Sequence, residues 1–248
     1  LLAFLVAYLQ TEGIFPLPAE GPNFYSSWVT QGVFIALMAS LLYFAVDSIQ
    51  RSLNRAISAE KDIRAAYHTT LEGWARALEL KDKETEGHSR RVTDMTVELG
   101  NRLGIPEKER VHVYYGALLH DIGKMGIPDE ILHKHGELTL EEREIVNSHP
   151  VIAYELLKDI DYLQKALEIP YCHHEKWNGE GYPNGLQGED IPLSARIFAV
   201  IDVWDALNFD RPYREAWPKD KAIQYMRQQA GQHFDPRVVE VFLQEMID

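Results

Sequence analysis

His173 and His174 stand side by side in "HHEKWNGEGYP" (173–183), followed by Glu175, two glycines and a Tyr-Pro. Adjacent imidazoles can decorate a surface turn, which Gly and Pro would mark. They can equally serve a metal, because neutral imidazole is the commonest metal-binding side chain. Other segments offer matching groups. His88 opens an apolar-patterned stretch in "EGHSRRV", His120 and Asp121 close another in "LLHDIGK", and His149 precedes Pro150. Asp202 lies inside the apolar "ARIFAVIDVWDAL". A carboxylate buried in such a run is costly unless it is paired or ligated, so Asp202 calls for a partner, and a metal is one. Imidazole and carboxylate without thiolate suit Fe, Mn, Zn or Ni over a structural zinc site. His112, His133, His135 and His233 read as ordinary core or surface residues.

The elements that would position these groups are helices. From about residue 70 to the end, "SRRVTDMTVELGNRLG", "EKERVHVYYGALLHDIGK", "TLEEREIVNSHPVIAYELLKDI", "LSARIFAVIDVWDALN" and "DPRVVEVFLQEM" carry apolar residues at helical spacing. Stops such as "LGIP" and "HFDP" separate them. No run alternates with period two over a useful length. The expected fold is an all-α helical bundle.

The first third of the chain is different. No charge occurs from Gly21 to Val46, and "WVTQGVFIALMASLLYFAV" (28–46) is long enough to cross a bilayer. Tyr25 and Trp28 lie at one end, and Arg51, Arg55, Lys61 and Arg64 follow the other. The positive-inside rule then puts everything after Val46 in the cytoplasm, anchored to an inner membrane. "LLAFLVAYL" at the start reads as the end of an earlier apolar helix, joined by an external loop. Residues 1–46 thus form a membrane region. Residues 47–70 form a linker or signalling helix, in which Val46, Ile49, Leu53, Ala56, Glu60, Ile63, Tyr67, Thr70, Trp74 and Ala77 keep a 3-4 spacing. That seam fits a parallel homodimeric coil, or one helix packed on its own domain. Residues 71–248 make the domain that carries the candidate metal ligands. A formal net charge of −13 disfavours a DNA or RNA binder, so anionic ligands must be met by a few placed cations or metals. The single cysteine, Cys172, excludes a disulfide framework.

His88, "HDIGK" (120–124), His149, "HHEKWNGEGYP" and "DVWDAL" (202–207), in this order, resemble the HD-GYP family of metal-dependent phosphodiesterases. "DRPYR" (210–214) and "AGQHFDPRVVEVFL" (230–243) resemble its C-terminal pattern. The resemblance covers roughly residues 70–248. It implies cleavage of cyclic di-GMP to pGpG, with a second cut to GMP as the alternative end point, and two or three divalent ions, iron or manganese, as cofactors. It implies metal ligation by His88, His120, Asp121, His149, His173, His174 and Asp202, with Asp121 bridging. Glu84, four residues before His88, falls where some members hold a third metal; the other reading is a solvated carboxylate. Lys124, Arg211 and Arg214 match the cations that contact substrate phosphates, and Tyr182 belongs to the motif that names the family. Glu175 and Trp177 are expected to be supports. Asn178 stands where Asp is common, and "LNFD" replaces a more polar run before Arg211. A catalytically silent cyclic di-GMP receptor and a phosphodiesterase for another cyclic dinucleotide are the rival readings.

Overall fold

In the computed structural model, residues 8, 9, 11–13, 24–82, 87–210 and 215–247 are described. The chain divides into two compact units, Leu1–Ala65 and Ala66–Asp248. Helix α1 (Phe24–Asp82) belongs to both. Its first part is long and apolar enough to cross a membrane, and none of its apolar window is buried. Ile49, Leu53 and Ile63 on the seam are exposed too. The linker helix and the start of the folded domain are therefore one continuous helix. No proline interrupts residues 24–82, and apolar spacing persists past Tyr67.

Within the second unit the last three turns of α1 bury Leu71, Ala75 and Leu78. These three residues recur at steps of four and three, so one stripe faces the domain. The remaining helices are α2 (His88–Arg102), α3 (Glu107–Leu118), α4 (Asp129–Leu132) and α5 (Leu140–Asn147). They are followed by α6 (His149–Leu157), α7 (Glu168–Cys172), α8 (Leu193–Asn208), α9 (Lys219–Gln229) and α10 (Pro236–Phe242). No strand occurs among the described residues, so the all-α expectation holds. Local signals set several helix starts. Thr139 and Glu142 form a reciprocal capping box at α5. Pro150 and Pro236 sit in the first turns of α6 and α10, where a missing N–H costs nothing.

The two larger apolar clusters of this unit flank the site residues. One gathers Val92 and Leu99 of α2, Ile197, Phe198 and Ile201 of α8, and Val238 and Phe242 of α10. The other joins Leu71 and Ala75 of α1 to Leu118, Leu119 and Ile122, and to Ala153 and Leu157 of α6. His120 and Asp121 follow α3, which contributes to both clusters.

Candidate metal centre

Each expected metal ligand that is described lies at a helix end or on the apolar helix α8. His88 and His149 are the first residues of α2 and α6. His120 and Asp121 follow the end of α3 and enter a tight helical turn, Ile122–Gly126. His173 and His174 follow α7, and Asp202 lies in α8. Such ends have short reach, so the backbone must come close. Gly123 permits it: a Cβ there would lie 1.9 Å from the His149 carbonyl oxygen and 2.7 Å from Ala153 N. Only glycine lets the "HDIGK" turn lie directly on the start of α6, which brings Asp121 to His149.

All seven expected ligands that are described meet in two groups. Asp121, His149, His173 and His174 place one donor atom each within 4.8 Å of one another, and so do His88, His120 and Asp202. Asp121 joins the groups. Its Oδ1 lies 3.2 Å from His149 Nε2 and 3.7 Å from His173 Nε2, while its Oδ2 lies 3.1 Å from His120 Nε2. The ring of Phe198 on α8, fully buried, packs 4.7 Å from His120 and 5.9 Å from His173. Glu84, Arg211 and Arg214 lie outside the described residues.

The hydrogen bonds fix which ring nitrogen is presented. Nδ1 of His120 lies 2.9 Å from the Ala117 carbonyl, Nδ1 of His149 2.8 Å from that of Val146, and Nδ1 of His173 3.1 Å from those of Ile169 and Pro170. A carbonyl only accepts, so each ring donates from Nδ1, and in the neutral ring Nε2 carries the lone pair. His149 Nε2 and His173 Nε2 then face each other at 3.3 Å, beside an anionic carboxylate oxygen. Burial pushes the His173 imidazole below the usual range, and Asp121 only partly offsets this, so its neutral form is favoured. Two lone pairs and an anion converging on one point repel unless a cation sits among them. The donor set therefore fits a divalent ion.

His174 lies well below the usual imidazole range through burial, His173 and His149. Asp121 lies well below the usual carboxylate range. Burial raises it, but the Lys124 ammonium beside it, foremost, outweighs that cost. Lys124 Nζ lies 2.7 Å from Asp121 Oδ2 and 2.6 Å from Asp82 Oδ2 at the end of α1.

Three supports carry no signal in the motif spacing. Asp205, fully buried, accepts from His88 Nδ1 at 2.7 Å and from Arg91 Nε and Nη2 at 2.9 and 3.0 Å. Burial raises its carboxyl, yet the hydrogen bonds from His88 and Arg91 outweigh this and hold it below the usual range. Arg91 also stacks on Phe209 at 4.0 Å. Alone among these four histidines, His88 is backed by a carboxylate, an arrangement that fixes ring orientation and raises ligand basicity. Asp82 is the third support. One clue was readable: "DVWDAL" holds a second acid three residues after Asp202, inside the same apolar run.

The loop after His174 is built to be rigid. Glu175 is buried and accepts from Asn184 N at 2.7 Å and Leu186 N at 2.9 Å. Trp177 N donates to the His233 carbonyl at 3.0 Å. Both residues are supports, as expected. Gly179 takes φ 84°, which favours glycine. At Gly181 a Cβ would meet Lys176 N at 2.3 Å and Glu175 Cα at 2.5 Å. Gly181 is small so that the loop can close on its own first residues. Tyr182, before a cis peptide bond to Pro183, stacks on His174 with centroids 4.7 Å apart and planes at 27°.

An all-α bundle with histidines at helix ends gathered around one aspartate is the frame of this site. The HD domain family matches residues 74–238, and the chain belongs to it. It is 41% identical over 199 residues to the cyclic di-GMP phosphodiesterase response regulator of Xanthomonas campestris, covering 78% of this chain and 53% of that one. It is 40% identical over 185 residues to 3'3'-cGAMP-specific phosphodiesterase 2 of Vibrio cholerae, covering 74% and 35%. It is 41% identical over 167 residues to a cyclic di-GMP phosphodiesterase of Thermotoga maritima, covering 66% and 45%. The chain thus spans between about a third and about half of these curated relatives. A solved cyclic GMP-AMP phosphodiesterase of V. cholerae shares the fold, with TM-score 0.56 and 21% identity over 71% of this chain and 47% of that one.

Proposed function

We propose that this chain is a metal-dependent phosphodiesterase that hydrolyses cyclic di-GMP to linear pGpG, with a second cut to GMP. The observation that carries this reading is the pair of donor groups meeting at Asp121. Relatives named for the same activity support the substrate. His88, His120, Asp121, His149, His173, His174 and Asp202 would hold two divalent ions, iron or manganese, with Asp121 shared. Glu84 would add a third. When bound, such ions supply Lewis-acid charge to a phosphodiester and activate water near neutral pH.

The chain's own residues do the rest. The carbonyl-bound Nδ1 atoms keep three rings in the tautomer that presents Nε2. Lys124, Arg211 and Arg214 anchor phosphate oxygens; arginine suits this because its planar fork binds two oxygens at once. Burial pushes the Tyr182 phenol up, so it stays protonated and donates to the substrate. Phe198 closes one side to water. No protein nucleophile is needed.

Residues 1–46 are the membrane region, residues 47–70 a linker whose exposed seam pairs two chains as a homodimer, and residues 71–248 the catalytic domain. The unburied apolar window of α1 supports an inner-membrane anchor with a cytoplasmic catalytic domain. A second reading, cleavage of 3'3'-cGAMP, is favoured by relatives named for that substrate at a similar identity. Parallel turnover assays with the two cyclic dinucleotides decide between them. Metal-loaded protein that binds cyclic di-GMP without cleaving it would instead be a receptor.

A further inference from the structure

We infer that Asp82, the last residue of α1, is a positioning residue for Lys124, so that the end of this helix sets the cation that anchors substrate phosphate. The inference rests on the phosphodiesterase reading. Asp82 Oδ2 lies 2.6 Å from Lys124 Nζ, and both side chains are largely buried, at 10% and 16% exposure. The neighbouring residue grips the same turn: Lys81 Nζ donates to the carbonyls of Met125 and Ile127 at 3.1 and 3.2 Å and pairs with Asp129 at 3.3 Å. Two consecutive side chains of one helix end therefore clasp residues 124–129. Leu78, one turn earlier, is buried and holds that end in place.

A lysine ammonium sits on a flexible four-carbon stem that is costly to order. It has three N–H donors, so one ammonium can hold Asp82, Asp121 and a phosphate oxygen together. Asp82 orders the stem before substrate arrives, which lowers the cost of binding. The opposite possibility is that Asp82 competes with phosphate for Lys124. Its place on a helix end anchored by Lys81 and Leu78 argues against that, because the anchored end keeps Asp82 beside Lys124.

The test uses the full metal-loaded chain and two substrates: cyclic di-GMP and the generic diester bis(p-nitrophenyl) phosphate. Asp82→Asn keeps the shape and removes the charge. Bound metal should equal that of the unaltered chain, and KM should rise about tenfold with kcat changed far less. Asp82→Glu should restore part of the loss. In a double-mutant cycle, adding Asp82→Asn to Lys124→Ala should cost almost nothing further, because the aspartate acts through the lysine. An unchanged or lowered KM in Asp82→Asn, or losses that multiply in the double variant, would overturn the inference. If the unaltered chain cleaves the generic diester but no cyclic dinucleotide, the proposed substrate has failed, and the same KM ratios on the generic diester still decide the role of Asp82.

Discussion

At the scale of single residues, the site depends on which nitrogen each histidine presents. His120, His149 and His173 use backbone carbonyls for this, and His88 uses Asp205. Asp205→Asn should weaken metal binding about 10- to 100-fold, as loss of such an outer partner commonly does. Competition with a chelator would measure it; unaltered affinity would remove Asp205 from the account. Proton competition gives a second prediction. The imidazoles of His173 and His174 are held below their ordinary range, so the unfolded chain takes up protons at a higher pH than the folded one. Stability of the metal-free protein should therefore be greatest above pH about 6.5 and fall as pH drops through the lower folded values. Metal affinity should fall in the same direction, because protons and metal compete for Nε2. Thermal melts across pH 5 to 8 with and without added metal would show both trends. The seven described ligand candidates were legible because an HD-GYP resemblance marks them by order and spacing. Arg91 and Asp82 were not, and Asp205 left only the second acid of "DVWDAL" as a clue, because a support is defined by what it touches; Lys124 and Asp82 lie 42 positions apart.

At the scale of elements, the site depends on close passage of backbone. Gly181 reads in the sequence as a turn residue and Gly123 carries no reading of its own, yet the space around both is what demands glycine. Gly123→Ala should cost about 3 kcal/mol, because the added methyl meets the backbone of α6 rather than a movable side chain. It should also displace Asp121 from His149 and lower metal content. Wild-type stability and metal content in this variant would contradict the packing argument. Helix existence was clear from apolar spacing alone. The junction near residue 70 was not a break in secondary structure: α1 continues to Asp82, and the change is one of burial, which begins at Leu71. A change from exposed to buried leaves little mark when the apolar spacing continues unbroken.

At the scale of the whole molecule, an acidic chain is expected to meet an anionic substrate. Formal charge is −13, so unaided association would be repulsive, and local cations carry the burden. The apolar window of α1 yields a prediction at this scale. The chain should sediment with membranes and resist extraction by high salt, while Leu37→Arg with Leu41→Arg should release it, each arginine costing about 3 kcal/mol in the bilayer. Salt extraction of the unaltered chain would point to a soluble assembly instead. The most direct test of the central claim is metal content and cyclic di-GMP turnover, measured together on protein purified without oxygen. At least two divalent ions per chain are expected together with formation of linear pGpG, and both should be lost in the His120→Ala, Asp121→Ala double variant. Full turnover in that variant, or in metal-stripped protein, would contradict it.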